Sequence, residues 1–294
     1  MPQKTISFIG AGKVTQVLGR LMAGLSDFQI GGIYSRSIES AQRAHDFINV
    51  GKVCSSISDL PSSDIIFINT SDSQIEAACQ ELVEKNKNQA AGFALLHCCG
   101  SQPSTILKAG QIHLGARIGS IHPIFGFSNP RQAIIDFPGT LCSFEGDTSL
   151  FPEISELFVK IGAAQVFQIE TENKAAYHVA GAFPGSLTVA LAKISKDLYT
   201  KAGIPSELAA VIAARLLSTT AKNTLASPET MTFNGPLPRG DLETLNRHLK
   251  VLSPTPYLSI YCELTKILLE EIQDPNFVSI VERLLKESVD IPHF

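Results

Sequence analysis

The chain has 294 residues, 44% of them hydrophobic. That exceeds one α/β domain of roughly 100 to 200 residues and gives room for two cores. Its 24 basic and 28 acidic residues leave a net charge of -4 with no long basic run, which excludes a surface that tracks a nucleic-acid backbone.

Up to about residue 170, short apolar runs alternate with helical patterns, as successive βαβ units do. Strands are expected at 5–9 and 30–35, with helices at 14–25 and 38–47. The next strand, "DIIFINT" (64–70), has an unbroken apolar centre that implies burial on both faces of a parallel sheet. A helix at about 74–84 follows, then the strands "FALLHC" and "ARIGSI". The last pair, "TLCSFEG" and "AQVFQI", flanks a helix at about 150–161. Beyond Glu170 strand-like windows disappear, and helices are expected at 172–202 (closed by Gly203 and Pro205), 207–226, 241–252, 256–272 and 277–286. The fold class read here is α/β, a Rossmann-like, mostly parallel sheet over 1–170, followed by an all-helical domain over 171–294. With no linker composition at the division, the two are expected to pack tightly.

Six cysteines are dispersed apart from the vicinal Cys98 and Cys99, without zinc spacing or the density of a secreted scaffold. They read as reduced thiols of a cytoplasmic protein without a metal site, Cys98 and Cys99 as two buried thiols rather than a redox pair. No window approaches about 18 uninterrupted apolar residues, and the N-terminus lacks a signal-type stretch, so no membrane association is expected.

The turn "FIGAGKVTQVLG" (8–19) places Gly10 and Gly12 two apart after a strand and before a helix. In a dinucleotide fingerprint the first glycine permits the bend, the second admits the pyrophosphate, and the third relieves helix–strand packing. Thr15 replaces only the third, so the cradle formed by Gly10, Ala11, Gly12, Lys13 and Val14 is expected to be intact, with helix N–H groups facing phosphate. The second strand ends in "YSRS" rather than in an acid. Ser35, Arg36 and Ser37 suit a 2′-phosphate, which points to NADP(H); the plainer reading of Arg36 is an exposed loop residue.

Ligands in open α/β sheets lie beyond the carboxyl ends of the strands. "TSDSQ" with Thr70, Ser71 and Asp72, "HCCGS" with Cys99, and "HPIFGF" with His122 should therefore border a nicotinamide. His122 is a candidate acid or base, or a structural histidine held by the Pro123 turn; His97, inside an apolar strand, reads as a core histidine. In "ENKAAYHVAGAFPGS", helical spacing puts Lys174, Tyr177, His178 and Gly181 on one face. That face either roofs the nicotinamide or packs on the first domain with its polar groups paired. "TFNGPLPRGD" (232–241) needs a special backbone path; there Arg239 could hold an anionic substrate group, while Asp241 caps the next helix.

With "FIGAGKVTQVLG", "SRS", "HCCG", "HPIFGF", "KAAYH" and "NGPLPRGD" in this order, nearly the whole chain resembles a family of oxidoreductases. In that family an NADP-binding Rossmann-like half is joined to a helical domain of unknown function. The family is similar to the ketopantoate, pyrroline-5-carboxylate and 3-hydroxyacid reductases. The resemblance implies a helical domain like the C-terminal domain of 6-phosphogluconate dehydrogenase and a homodimer formed through it. It also implicates His122, Tyr177, His178, Arg239 and Asp241 in the cleft; with the residues read above, the catalytic candidates are His122, Tyr177, His178 and Lys174, and the expected substrate contacts are Cys99, Ser186, Asn234, Arg239 and Asp241. Departures are Thr15 for the third glycine, Ser186 where asparagine is expected, and Asn234 where threonine usually precedes "GP". The expected activity is NADP(H)-dependent reduction of a small carbonyl or imine compound in a cleft between the domains, His122 or Tyr177 giving the proton. The alternatives are a prephenate-type or hydroxyacid dehydrogenase working oxidatively, and a dinucleotide-binding sensor or scaffold without turnover.

Overall fold

A computed structural model describes residues 3–85, 89–229, 233–253 and 255–289. Thr232, the first residue of the "TFNGPLPRGD" segment, lies outside them. The chain divides into two compact units, Met1–Pro184 and Gly185–Phe294.

The first unit is built on one sheet of β1 (Lys4–Ile9), β2 (Phe28–Tyr34), β3 (Lys52–Cys54), β4 (Ile65–Ile68), β5 (Ala94–His97), β6 (Arg117–Pro123), β7 (Leu141–Gly146) and β8 (Gln165–Gln168). Its strand order is β3-β2-β1-β4-β5-β6-β7-β8. Every neighbouring pair is parallel except β6 and β7. The α/β class with a mostly parallel sheet is therefore observed.

Strand alternation sends Ile6, Phe8, Ile65, Phe67, Ala94 and Leu96 to one face. There they meet α1 (Lys13–Met22), α2 (Ile38–Ile48) and α6 (Phe151–Lys160). Ile9, Ile66, Ile68 and Leu95 go to the other face, against α3 (Ile75–Lys85) and α4 (Lys108–Leu114). Both faces are dry, which is why the centre of "DIIFINT" carries no polar residue. β3, α4 and α5 (Pro130–Asp136) were not expected from the sequence.

The expected helix over 172–202 is broken. α7 (Lys174–Ala182) runs into a π-helical turn over Phe183–Leu187, in which Gly185 leaves helical geometry (φ -89, ψ -107), and α8 (Thr188–Lys201) follows. Pro184 is the physical reason: it has no N–H to donate and its ring crowds the preceding turn. The boundary between the units falls on this break, so α7 belongs to the first unit.

In the second unit α8 pairs with α9 (Ser206–Ala226) across a turn where Gly203 takes φ +91, the left-handed geometry expected where that helix closes. α10 (Leu242–Leu252), α11 (Leu258–Leu269) and α12 (Pro275–Val289) enclose Leu237, Leu245, Leu249, Leu258, Cys262, Phe277 and Val281. No described helix is long and apolar enough to cross a membrane.

Candidate active site

The site begins where the strand order reverses, between β1 and β4. Gly10 adopts φ +100, and a Cβ there would lie 2.4 Å from the Asn69 carbonyl oxygen. Its N–H donates to the Tyr34 carbonyl (2.8 Å), so β1 ends pinned between its neighbours. Gly12 is the N-cap of α1 with no side-chain cap, and nothing lies within 4 Å of where its Cβ would stand. The first-turn N–H groups thus face open space, as an anion cradle requires. Thr15 is fully buried and donates from Oγ1 to the Gly10 carbonyl (2.7 Å), bracing the turn. The close approach usually given to the third glycine falls instead to Gly19, where a Cβ would meet Ile48 Cδ1 at 2.5 Å. The Ala11 side chain is buried in the core, which leaves its backbone to the turn. Lys13 donates from Nζ to the Ser128 carbonyl (2.7 Å). A cleft of about 500 Å³ lies among Gly12, Lys13, Val14, Asn69, Thr70, Ser71, Phe127 and Ser128.

Beyond β2, Ser35 is half-buried and Arg36 is exposed, donating to Gln74 Oε1 at 3.2 Å. Ser37 is the N-cap of α2: its hydroxyl accepts from the Ser40 N–H and donates to Glu39 Oε2 (2.6 Å). Arg36 is therefore the group at this strand end left at the surface with donors to spare.

A smaller cavity of about 80 Å³ continues along the carboxyl ends of β4 and β5, lined by Val14, Asn69, Thr70, Asp72, Cys98 and Cys99 among others. The cysteines are free thiols. Burial raises the pKa of both, which keeps them protonated and poorly nucleophilic. His97 is a core histidine: its Nδ1 accepts from the Cys99 N–H (3.1 Å), so Nε2 carries the proton and faces the Pro103 carbonyl (3.3 Å). Burial, and then Lys174, lower its pKa to about 4.

His122 lies within β6 rather than in the loop after it. Its Nδ1 is 2.7 Å from the Tyr177 hydroxyl, with the rings edge-to-face at 5.6 Å, and the His178 ring is 6.5 Å away. Burial first, then the Lys174 and His178 charges, push His122 down to about 4 while Asp72 opposes them; burial raises Tyr177. At neutral pH the pair is imidazole and phenol sharing one hydrogen bond, able to pass a proton in either direction. Gly100 makes room for it: a Cβ there would be 2.9 Å from His122 Nε2 and 2.9 Å from His178 Cδ2. Lys174 is 2% exposed. It points into the sheet, where Nζ is 2.6 Å from Ser120 Oγ, 3.2 Å from the Cys99 carbonyl and 3.8 Å from Glu145 Oε2.

The structure thus brings Asp72, Cys99, His122, Lys174, Tyr177 and His178 together in the first unit, at the strand ends beside the cradle. Ser186, Asn234, Arg239 and Asp241 belong to the second unit. There Gly235 (φ +133) and Gly240 (φ +66) give the loop its special path, Leu237 anchors it in the core, and Asp241 caps α10 by accepting from the Thr244 N–H (3.0 Å). Among the described residues no group of three or more His, Cys, Asp or Glu is placed to hold a metal.

Sequence reasoning missed Asn69, Gly100, Ser120 and Glu145. Asn69 lies near the end of "DIIFINT" and Gly100 within "HCCGS", segments already read as a strand and a strand end, which is a usable signal. Ser120 and Glu145 sit in strand interiors, where polar residues in an apolar context mark a buried network.

Residues 140–267 match the domain of unknown function DUF2520. The DUF2520 segment runs from the start of β7 into α11 and carries Glu145, Lys174, Tyr177, His178, Arg239 and Asp241. No curated protein matches the sequence. Solved structures of like fold include a Thermotoga maritima protein (TM-score 0.64, 23% identity, 97% of this chain and 98% of that one). A pyrroline-5-carboxylate reductase from Coxiella burnetii is also similar (0.59, 14%, 97% and 98%). So is an imine reductase from Myxococcus stipitatus in complex with NADP+ (0.56, 16%, 97% and 94%). At these identities the likeness is one of fold.

Proposed function

We propose that the chain is an NADP(H)-dependent oxidoreductase that reduces a small carbonyl or imine compound. The observation that carries this reading is the His122–Tyr177 pair, a neutral proton relay at the carboxyl ends of the strands, beside an uncapped helix N-terminus behind Gly10 and Gly12. The reductases of like fold, one of them with NADP+ bound, agree with it.

In this reading the first-turn N–H groups of α1 hold pyrophosphate and Arg36 meets a 2′-phosphate. When bound, NADPH supplies the hydride. Thr70, Ser71 and Asp72 line the path from the cradle to Cys99, and Gly100 keeps space for the imidazoles. Tyr177 and His122 deliver the proton to the substrate oxygen or nitrogen, and the chain beyond residue 170 supplies the homodimer face.

The test is a fluorescence titration with NADPH and NADH, followed by a screen of carbonyl, imine and hydroxyacid compounds for change in NADPH absorbance. NADPH is expected to bind more tightly, and Arg36→Ala to remove roughly 1.5 to 3 kcal/mol of that preference, the range for a charge-assisted contact. Equal titration curves would sink the cofactor assignment. Oxidation of a hydroxyacid without reduction of any carbonyl or imine would reverse the direction. Tight binding with no turnover of any compound would leave a sensor or scaffold.

A further inference from the structure

Among the charged side chains of the first unit, Lys174 and Glu145 are both almost wholly buried, at 2% and 3% exposure. Burying two charges costs more than their attraction returns unless every donor and acceptor is matched. Here two of the three Lys174 donors and both Glu145 oxygens are hydrogen-bonded. Glu145 accepts from the Ser104 N–H (2.7 Å) and hydroxyl (2.8 Å) and from the Thr171 hydroxyl (2.8 Å), and its Oε2 faces the Lys174 ammonium. Lys174 donates to Ser120 Oγ and the Cys99 carbonyl, and Ser120 itself donates to that carbonyl (3.2 Å). The network ties the turn before α7 (Thr171) and its first residue (Lys174) to the segment after β5 (Cys99) and to the interiors of β6 (Ser120) and β7 (Glu145). Tyr177 and His178 follow Lys174 by three and four residues, one turn along the same face. Ser120 precedes His122 by two residues, on the same face of β6.

We propose that Glu145, acting through Lys174 and Ser120, is the positioning residue of the candidate site: it fixes α7 over the sheet so that Tyr177 meets His122. Lys174 is then a strut and not a proton donor to substrate, because its donors are turned onto protein acceptors and it has no surface left to present. The inference rests on the reductase reading only for its consequence; the geometry it explains is that of the free protein.

The groups that act on His122 are Lys174, Tyr177 and His178 from α7, Asp72 from the turn after β4, and His97 from β5. Of these Lys174 is the buried cation. Removing the ion pair as a unit should therefore let His122 bind protons about tenfold more tightly, since a nearby like charge disfavours its charged form, and should loosen its hydrogen bond to Tyr177.

The experiment is a histidine-selective NMR titration of the full chain without cofactor, comparing the wild type with the double variant Lys174→Met/Glu145→Gln. A folded double variant in which His122 titrates at higher pH and loses the Tyr177-dependent shift of Nδ1 is the expected result. A folded double variant with an unchanged His122 titration and Nδ1 shift overturns the proposal, leaving the pair merely structural. If the double variant does not fold, Ser120→Ala decides by the Nδ1 shift alone, since the Lys174 charge stays in place: a partial loss of the Tyr177-dependent shift is expected, and an unchanged shift overturns the proposal. NADPH binding measured on the same samples separates this outcome from the other: a wild type that binds no NADPH defeats the reductase reading and leaves the titration result standing.

Discussion

The two units bury their apolar residues in different ways. In the first, both faces of the sheet are covered, and Phe8, Phe67 and Phe158 pack ring to ring in the middle of it, with centroids 5.5 and 6.4 Å apart. In the second, a single core lies among α10, α11 and α12. The 21-residue α9 buries only Ala209 and Ala213, while Leu208, Val211, Leu216 and Leu225 are exposed, Leu225 by 80%. A sheet with helices on both sides satisfies its own apolar surface, whereas a helix pair covers one stripe of each helix and leaves the rest for another body. Contiguous exposed apolar surface on a folded unit marks an interaction face.

The largest effect that sharpens this contrast is expected in the sheet. Phe67 is fully buried between two other rings, so Phe67→Ala should cost about 3 to 5 kcal/mol, the transfer term plus the cavity it leaves. Chemical denaturation measures it. A loss under about 1 kcal/mol would mean that the sheet core is looser than its packing shows.

The next effect, on the order of a few kcal/mol, is expected from acid. His97 and His122 have folded pKa values of about 4 against about 6.5 unfolded. Between those values the unfolded chain binds more protons than the folded one. Their contribution is therefore complete above pH 6.5 and is lost as pH falls through 4. Stability followed from pH 7 to 4 should decline steadily, and His97→Gln should flatten the slope whatever it does to the value at pH 7. An unchanged slope in that variant would remove His97 from the account.

What the sequence made legible follows the same division. The fingerprint turn, the strand ends and the doubly buried run of β4 could be read because each is a local pattern of glycine or apolar spacing. β3 could not, since "KVC" is too short to show a period, and α4 and α5, at seven residues each, fall below two full turns. Pro184 was visible inside a helical pattern whose apolar period continued on both sides, and the backbone break won over the pattern. His122 could be read from its place after a strand, and Tyr177 and His178 together with Lys174 from helical spacing. That His122 and Tyr177 share a hydrogen bond depends on Gly100 and on the Glu145–Lys174 pair, which are contacts between residues far apart in the chain.

The smallest effect on stability should come from α9, and it tests what covers that helix. Leu216 and Leu225 are exposed on a helix whose buried positions are alanines, so replacing both by Ser removes little that the folded unit uses. Surface substitutions of this kind stay within about 0.5 kcal/mol each. If a second copy of the chain covers this face, the double substitution instead weakens association, because those leucines lose the apolar surface they bury only in the dimer. Light scattering at micromolar concentration should give a dimer for the wild type and a lower mass for the double variant, with the sheet's unfolding transition little changed at equal dilution. A wild-type monomer, or a dimer of unchanged mass and affinity in the variant, would show that α9 is not the dimer face, and the contrast between the two units would then need another cause.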